Sequence, residues 1–466
     1  ICSIRWSLSS PKRGMTAGRE ELSPGDSLHH RAMKQETVDD FKEELYQMQK
    51  ARREIVQAIR KCGTPDEKHV SILRSTLAIL EDSRTDADSK RNITNNAASQ
   101  SFTIVIRDEI IGLKKDIAYL EQLMAVDSAE NRSLHSVFDT VQLPQILAPY
   151  HQVSEKRFYE EVENVITFLN HLIDNSLSVQ PMFITDWDGT MKNYCAQYAT
   201  NLQPVYSAIG MSEFASRHTR LSAVLTAGPL IGPGILDLTS LPVEDGPIIF
   251  SGSWGREWML GRKRVVYDDE ISDEGHVALD RLSDEMGSLL EANEYSQFRL
   301  VGSGVQKKVD RLTLGVQTVF NQVDRDLSVR YQDAVRERMH RVDPNQQVLV
   351  FEAANDLEVE VCLHSGTGTV WNKANGVERL LEATKNDLKE GRVLIAGDTA
   401  SDLPMVEYAM KQNPEGTFAL FVGEVPSLEQ RVRTLVGDDA RVCYIACPDV
   451  FHAALARFLS SQDQLD

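Results

Sequence analysis

The chain has 466 residues, 42% of them hydrophobic and 26% charged, which is the make-up of a soluble globular protein too long for one ordinary core, so two or three domains are expected. A formal net charge of −19 argues against non-specific nucleic-acid binding, which needs clustered Lys and Arg, but not against a phosphate substrate, because a few local cations and a metal can reverse the field in one cleft. No apolar run approaches the roughly 18–20 residues that cross a bilayer, and the six cysteines are scattered without a CxxC pair, so no membrane partner is expected and free thiols in a reducing cytoplasm fit best.

Residues 1–35 are rich in Ser, Gly, Pro and Arg, lack hydrophobic periodicity and read as a disordered leader; the first residue, Ile1, is not Met. Residues 36–150 read as a helical domain. Phe41, Leu45, Met48, Ile55 and Ile59 give one apolar face, and Gly63 ends that helix. Thr64, Pro65 and Glu67 then suit an N-cap, a first helical position and a capping box for a second helix carrying Val70, Leu73, Leu77 and Leu80. After a polar loop comes a third stripe of Ile106, Ile110, Leu113, Ile117, Leu120 and Met124. Three such stripes argue for a small bundle or coiled coil. It reads equally well as a module for a protein partner or self-association and as a passive appendage. Phe158, Val162, Val165, Leu169 and Leu172 mark a further helix within a linker over 151–180.

From Pro181 onward strands alternate with helices, which implies a parallel sheet with crossover helices. Core strands are expected at 182–185, 222–226, 247–250, 392–397, 418–423 and 442–446. Residues 256–370 differ in character: alternating runs flank a charged helix over 328–341, as in an α+β domain inserted into the core. The core is thereby split into 181–255 and 371–466.

The chemistry concentrates where apolar strands end. FITDWDGT presents Asp186 and Asp188 on the same side of an extended chain, at the sheet edge where α/β proteins bind ligands. One carboxylate of such a pair can attack phosphorus while the other handles the leaving group's proton. A strand followed by a DG turn is also an ordinary structural element. A second strand, however, ends at Asp398, with Asp402 at the start of the next helix, and several carboxylates at strand ends make a hard-oxygen site suited to Mg²⁺. Thr226 closes the SAVLT strand, and Lys373 precedes a helix where an ammonium suits a phosphate.

The order DxDGT, Thr, Lys, GDxxxD resembles the haloacid dehalogenase superfamily. The resemblance covers residues 183 to about 459 and implies a Rossmann-like α/β core carrying an inserted type 2 cap. It further implies that Asp186 is the nucleophile, Asp188 the general acid and base, and Thr226 and Lys373 the phosphoryl-binding pair. Mg²⁺ would be held by Asp186, the Asp188 backbone carbonyl and Asp398, with Asp402 supporting. Within the superfamily, three features resemble trehalose-6-phosphate phosphatases of the nematode type. They are IIFSGSWGREW with Trp254 in place of a histidine, the LEVEV strand before NKANG, and the helical extension. The expected sugar-binding residues are Arg256, Glu257, Glu358, Glu360 and one of Lys307 and Lys308. Departures are the Ala-Gly after Thr226 where many members have Gly-Arg, and GDTASD in place of GDDxTD. The alternatives are a sucrose-phosphate or mannosyl-phosphoglycerate type phosphatase and a non-catalytic scaffold.

Overall fold

A computed structural model of the chain describes residues 37–83, 89–94, 101–125, 134–174, 178–195, 197–269, 271–291, 294–318, 321–353, 356–364 and 371–462. The expected leader over 1–35 lies outside the described residues.

The three apolar stripes form α1 (Val38–Arg60), α2 (Glu67–Ser83) and α3 (Arg107–Ala125). Helix α1 opens with a capping box in which Thr37 accepts from the Asp40 N–H at 3.2 Å and Asp40 accepts from the Thr37 N–H at 3.1 Å. The start of α2 differs from expectation. It begins at Glu67, and Asp66 takes the capping role by accepting from the Lys68 N–H at 2.9 Å. The expected polar loop between α2 and α3 holds an antiparallel hairpin, β1 (Lys90–Thr94) with β2 (Ser101–Val105). Two shorter helices follow, α4 (Leu134–Thr140) and α5 (Leu143–Leu147).

This module is not a free coiled coil. Its stripe residues Phe41, Leu45, Met48, Ile55 and Ile59 are buried within the chain, in one apolar cluster that continues into the domain beyond. Helices α1 and α3 pack on α7 (Val205–His218), and α4 and α5 pack on α13 (Pro448–Gln462). The expected linker helix, α6 (Glu155–Leu172), also packs on α13 and on the last strand of the sheet, so it is a layer of the core rather than a bridge.

The core is an eight-stranded sheet in the order β14-β13-β12-β3-β4-β5-β6-β7. Its parallel part comprises β3 (Met182–Thr185), β4 (Leu221–Leu225), β5 (Ile248–Gly252), β12 (Val393–Gly397), β13 (Thr417–Val422) and β14 (Val442–Ile445). Alternation splits the apolar strands between two faces. Phe183 joins the cluster with α6, α7 and α13. Met182 and Ile184 join the other, with α10 (Lys373–Thr384), α11 (Leu403–Gln412) and α12 (Pro426–Val436). Strands β6 (Glu257–Leu260) and β7 (Lys263–Val266) extend the same sheet antiparallel. The insert therefore begins after Val266 and not at residue 256: the pairing of β6 with β5 and of β7 with β6 assigns this hairpin to the core sheet, although the exposed, charged β7 reads like an insert strand.

The insert has its own four-stranded antiparallel sheet, β10-β11-β9-β8, from β8 (Val305–Lys307), β9 (Arg311–Gly315), β10 (Leu349–Ala353) and β11 (Glu358–Leu363). Helices α8 (Asp273–Leu290) and α9 (Arg325–Val342) pack with it around a separate apolar cluster. The molecule is thus a Rossmann-like α/β core with an inserted α+β cap and an N-terminal helical module. Among the described residues no helix is long and apolar enough to cross a membrane.

Candidate active site

Strands β3, β4 and β12 are neighbours and parallel, so the residues at their carboxyl ends meet. Asp186 follows β3, and its N–H donates to the Ala396 carbonyl of β12 at 2.9 Å, which fixes the backbone at the point where the side chain emerges. Its Oδ1 accepts from Lys373 Nζ at 2.5 Å and its Oδ2 from Thr190 Oγ1 at 3.2 Å. Lys373 is buried at the first position of α10, behind the Asn372 cap, and also donates to Asp402 Oδ1 at 2.5 Å. Asp402's second oxygen accepts the Asp398 and Thr399 N–H groups at 3.1 and 3.0 Å, shaping the turn after β12. Asp188 accepts from Thr226 Oγ1 at 3.3 Å and, on its other oxygen, from the Asn201 amide.

Two glycines make this crowding achievable. Gly189 has φ +84°, and a Cβ there would lie 2.1 Å from Asp398 Oδ2. At Gly397 a Cβ would lie 2.4 Å from the Asp402 Cβ. The glycines of DxDG and GD therefore admit the carboxylates of each other's loop or their own.

The electrostatics are one-sided. Oxygens of Asp186, Asp398 and Asp402 all lie within 4.8 Å of one another, Asp188 stands beside them, and one ammonium is shared between two of the four. Burial raises Asp186, with Lys373 pulling down and Asp402 and Asp188 pushing up; burial and then Asp186 and Asp402 raise Asp398. Burial works against the charge of Lys373, yet Asp186 and Asp402 hold its ammonium above the ordinary lysine value. Burial also raises Asp188, with Thr226 and Asn201 pulling the other way. Hard oxygens with this much uncompensated negative charge fit a small divalent cation.

Against known proteins, residues 183–451 match the model of the trehalose-6-phosphate phosphatase C-terminal region, and residues 37–139 match that of the trehalose-6-phosphate phosphatase N-terminal helical bundle domain. The chain is 52% identical over 429 residues to a trehalose-phosphatase of Brugia malayi, covering 91% of this chain and 86% of that protein. It is also 52% identical over 427 residues to a trehalose-phosphatase of Caenorhabditis elegans, covering 91% and 96% of the two. The chain belongs to the trehalose-6-phosphate phosphatase family. It is a phosphatase, and the expected likeness to the nematode type is found.

The cap turns one polar sheet face toward the loop after β5. Glu360 accepts from Arg311 Nη1 at 2.9 Å and Thr313 Oγ1 at 2.8 Å, and Lys308 Nζ lies 3.6 Å away. Arg311 and Lys308 sit over the Trp254 ring at 4.1 and 5.0 Å from its centroid, and the Val309 N–H donates to Ser253 Oγ at 3.2 Å. Trp254 and Ser253 belong to the loop after β5, so the cap is docked on the core.

The sequence-derived sugar contacts separate here. Lys308 and Glu360 are buried in this polar cluster, and Glu358 lies on the same strand and on the same face as Glu360. Lys307 instead points away to Asp280 of α8. Glu257 is buried and accepts from the Leu230 N–H and Ser253 Oγ, both at 2.8 Å, and from Arg264, so its carboxylate ties three segments together. Arg256 stacks on Trp371 at 4.4 Å and lies 3.5 Å from Asp310. Sequence reasoning missed Arg311 and Thr313, although both alternate with buried Leu312 and Leu314 on β9. It also missed Asn201 and Tyr194, whose ring lies against Gly189 beside Asp398. No local motif marks those two, because the fold brings them to the site from a loop.

Proposed function

We propose that the chain hydrolyses trehalose 6-phosphate to trehalose and phosphate through an aspartyl-phosphate on Asp186, with Mg²⁺. The observation that carries this is the meeting of Asp186, Asp188, Asp398 and Asp402 around the single ammonium of Lys373. The relatives at 52% identity, named trehalose-phosphatases, support the sugar.

In the first step an Asp186 oxygen attacks phosphorus in line. The bond from phosphorus to the sugar oxygen breaks, and protonated Asp188 gives that oxygen its proton. Burial raises Asp188, which is the direction a general acid needs. In the second step Asp188, now ionised, takes a proton from water. The water oxygen bonds to phosphorus as the bond to Asp186 breaks, returning Asp186 as a carboxylate and Asp188 in its protonated form. Lys373 holds Asp186 in one orientation and balances charge on the phosphoryl oxygens. Asp186, Asp398 and the Asp188 backbone carbonyl would hold Mg²⁺, with Asp402 behind them, and the ion would neutralise phosphoryl charge. Lys308, Arg311, Thr313 and Glu360 supply donors and acceptors for sugar hydroxyls; Glu257 supports the loop beneath them.

The test is phosphate release from trehalose 6-phosphate, sucrose 6-phosphate and a mannosyl-phosphoglycerate, each with and without Mg²⁺, with Asp186→Asn as control. Release from trehalose 6-phosphate that needs both the metal and Asp186 is expected. Preference for another sugar phosphate would remove the substrate and keep the chemistry. No metal-dependent release at all would remove both.

A further inference from the structure

One polar group at the phosphoryl-binding strand end is left over by this mechanism. Tyr198 lies in the turn Tyr198–Thr200, beyond the catalytic aspartates in the chain. Its backbone N–H donates to the cap's Gly302 carbonyl at 2.8 Å, which pins the residue between core and cap. Its hydroxyl is shut off from solvent and meets no hydrogen-bond partner among the described residues. That oxygen lies 2.6 Å from where a Cβ on Gly228 would stand, and the same point is 3.6 Å from Thr226 Oγ1. Gly228 thus leaves the space that the phenol fills, one residue beyond Ala227 from the proposed phosphoryl-binding threonine.

An unmade hydrogen bond on a buried hydroxyl destabilises the fold. Phenylalanine would fill the same space without that cost. Around the phenol stand carboxylates, chiefly Asp188, then Asp237, Asp186 and Glu257; burial and these charges keep its proton on. It is therefore a neutral donor whose hydrogen bond is left unmade. We propose that Tyr198 is a further catalytic residue, whose hydroxyl donates a hydrogen bond to a non-bridging phosphoryl oxygen of the bound substrate. The proposal rests on Asp186 being the nucleophile, since that places phosphorus beside Thr226.

The test is Tyr198→Phe, which keeps the ring and removes only the donor. Three quantities are measured on wild type and variant with Mg²⁺: kcat and KM on trehalose 6-phosphate, the same constants on p-nitrophenyl phosphate, and the calorimetric affinity for inorganic phosphate. Loss of one preorganised donor to a charged oxygen should lower kcat by about 10²-fold on both substrates and weaken phosphate binding, with the melting temperature unchanged or raised. Constants and affinity within twofold of wild type would overturn the proposal. A loss confined to trehalose 6-phosphate would overturn it too, because it would put the contact on the leaving sugar. If the wild type binds phosphate but does not turn over trehalose 6-phosphate, the substrate reading falls alone, and the other two measurements still decide the role of Tyr198. Failure of the wild type to bind phosphate or hydrolyse either ester would remove the nucleophile and this proposal together.

Discussion

The helical module and the cap are both joined to the same core, but by different physics. The module shares one continuous apolar cluster with the core and adds buried ion pairs at the seam. Arg52 Nε meets Asp116 Oδ2 at 2.7 Å, and the other Asp116 oxygen accepts the Val205 N–H at the start of α7 at 2.8 Å. Lys115 meets Asp449 at 2.5 Å, and Tyr206 donates to the same carboxylate at 2.9 Å. The cap, in contrast, has its own apolar cluster, sends only Leu300 into the core's, and otherwise meets the core through Trp254, Ser253, the Arg256–Asp310 pair and the Tyr198–Gly302 backbone bond. An apolar seam with buried charges melts with the core. A polar seam made of cation–π and single hydrogen bonds can open and close at small cost. The module's seam is therefore built for stability, whereas the cap's seam suits the substrate selection proposed for it.

The sharpest way to break that division is at Asp116, which is fully buried at the module's seam. Asp116→Ala leaves Arg52 buried and unpaired, and should destabilise the whole chain by roughly 3–5 kcal/mol in chemical denaturation. A small effect, or early melting of the module alone, would contradict the single shared core. At the cap, Arg311→Ala removes a charged partner of Glu360 and one of the two cations over the Trp254 ring. Steady-state kinetics should show kcat/KM falling about 10²-fold, mostly through KM, while stability falls by about 1–3 kcal/mol, less than at Asp116 because Lys308 and Thr313 still face Glu360. The reverse pattern would make the cap structural.

A pH experiment sharpens the module's side. Glu109 of α3 is buried, and burial pushes its carboxyl up to about 7 from the ordinary 4.5. A group raised on folding lends its full stability below the unfolded value and loses it as pH climbs through the folded one. Relative to Glu109→Gln, the wild type should therefore lose stability between pH 4.5 and about 7, by a few kcal/mol at most. A difference that stays flat with pH would show that Glu109 ionises freely. The smallest effect is at Tyr206→Phe, which removes one donor from Asp449 and should cost about 1–2 kcal/mol in thermal or urea unfolding.

Much of the core was legible because its signals are local. Each apolar run that ends in a carboxylate became a parallel strand ending at the site, as at Asp186 and Asp398, and the helices of the module followed their stripes. The β1–β2 hairpin was not legible, since KRNIT has a single apolar residue and reads as loop although Arg91, Ile93 and Thr94 are buried. Nor was the extent of the core sheet. Exposed Lys263 and Arg264 give β7 the look of an insert strand, and only its pairing with β6 assigns it to the core. Glu257 teaches the same point for the site: an acid after a glycine loop has one appearance in sequence, whether it meets a sugar or, as here, the Leu230 N–H, Ser253 and Arg264. Asn201 and Tyr198 reach the catalytic edge from a loop docked against the cap, and such non-local placement leaves no spacing to read.

The central claim is that phosphate leaves substrate by way of Asp186. Acid quenching of a single turnover with phosphorus-labelled trehalose 6-phosphate, followed by peptide mapping, tests it most directly. The account predicts a transient label on the peptide that contains Asp186, accumulating further in Asp188→Asn with a reactive leaving group and absent in Asp186→Asn. Full turnover with no label on that peptide at any quench time would mean direct attack by water, and would contradict the role assigned to Asp186.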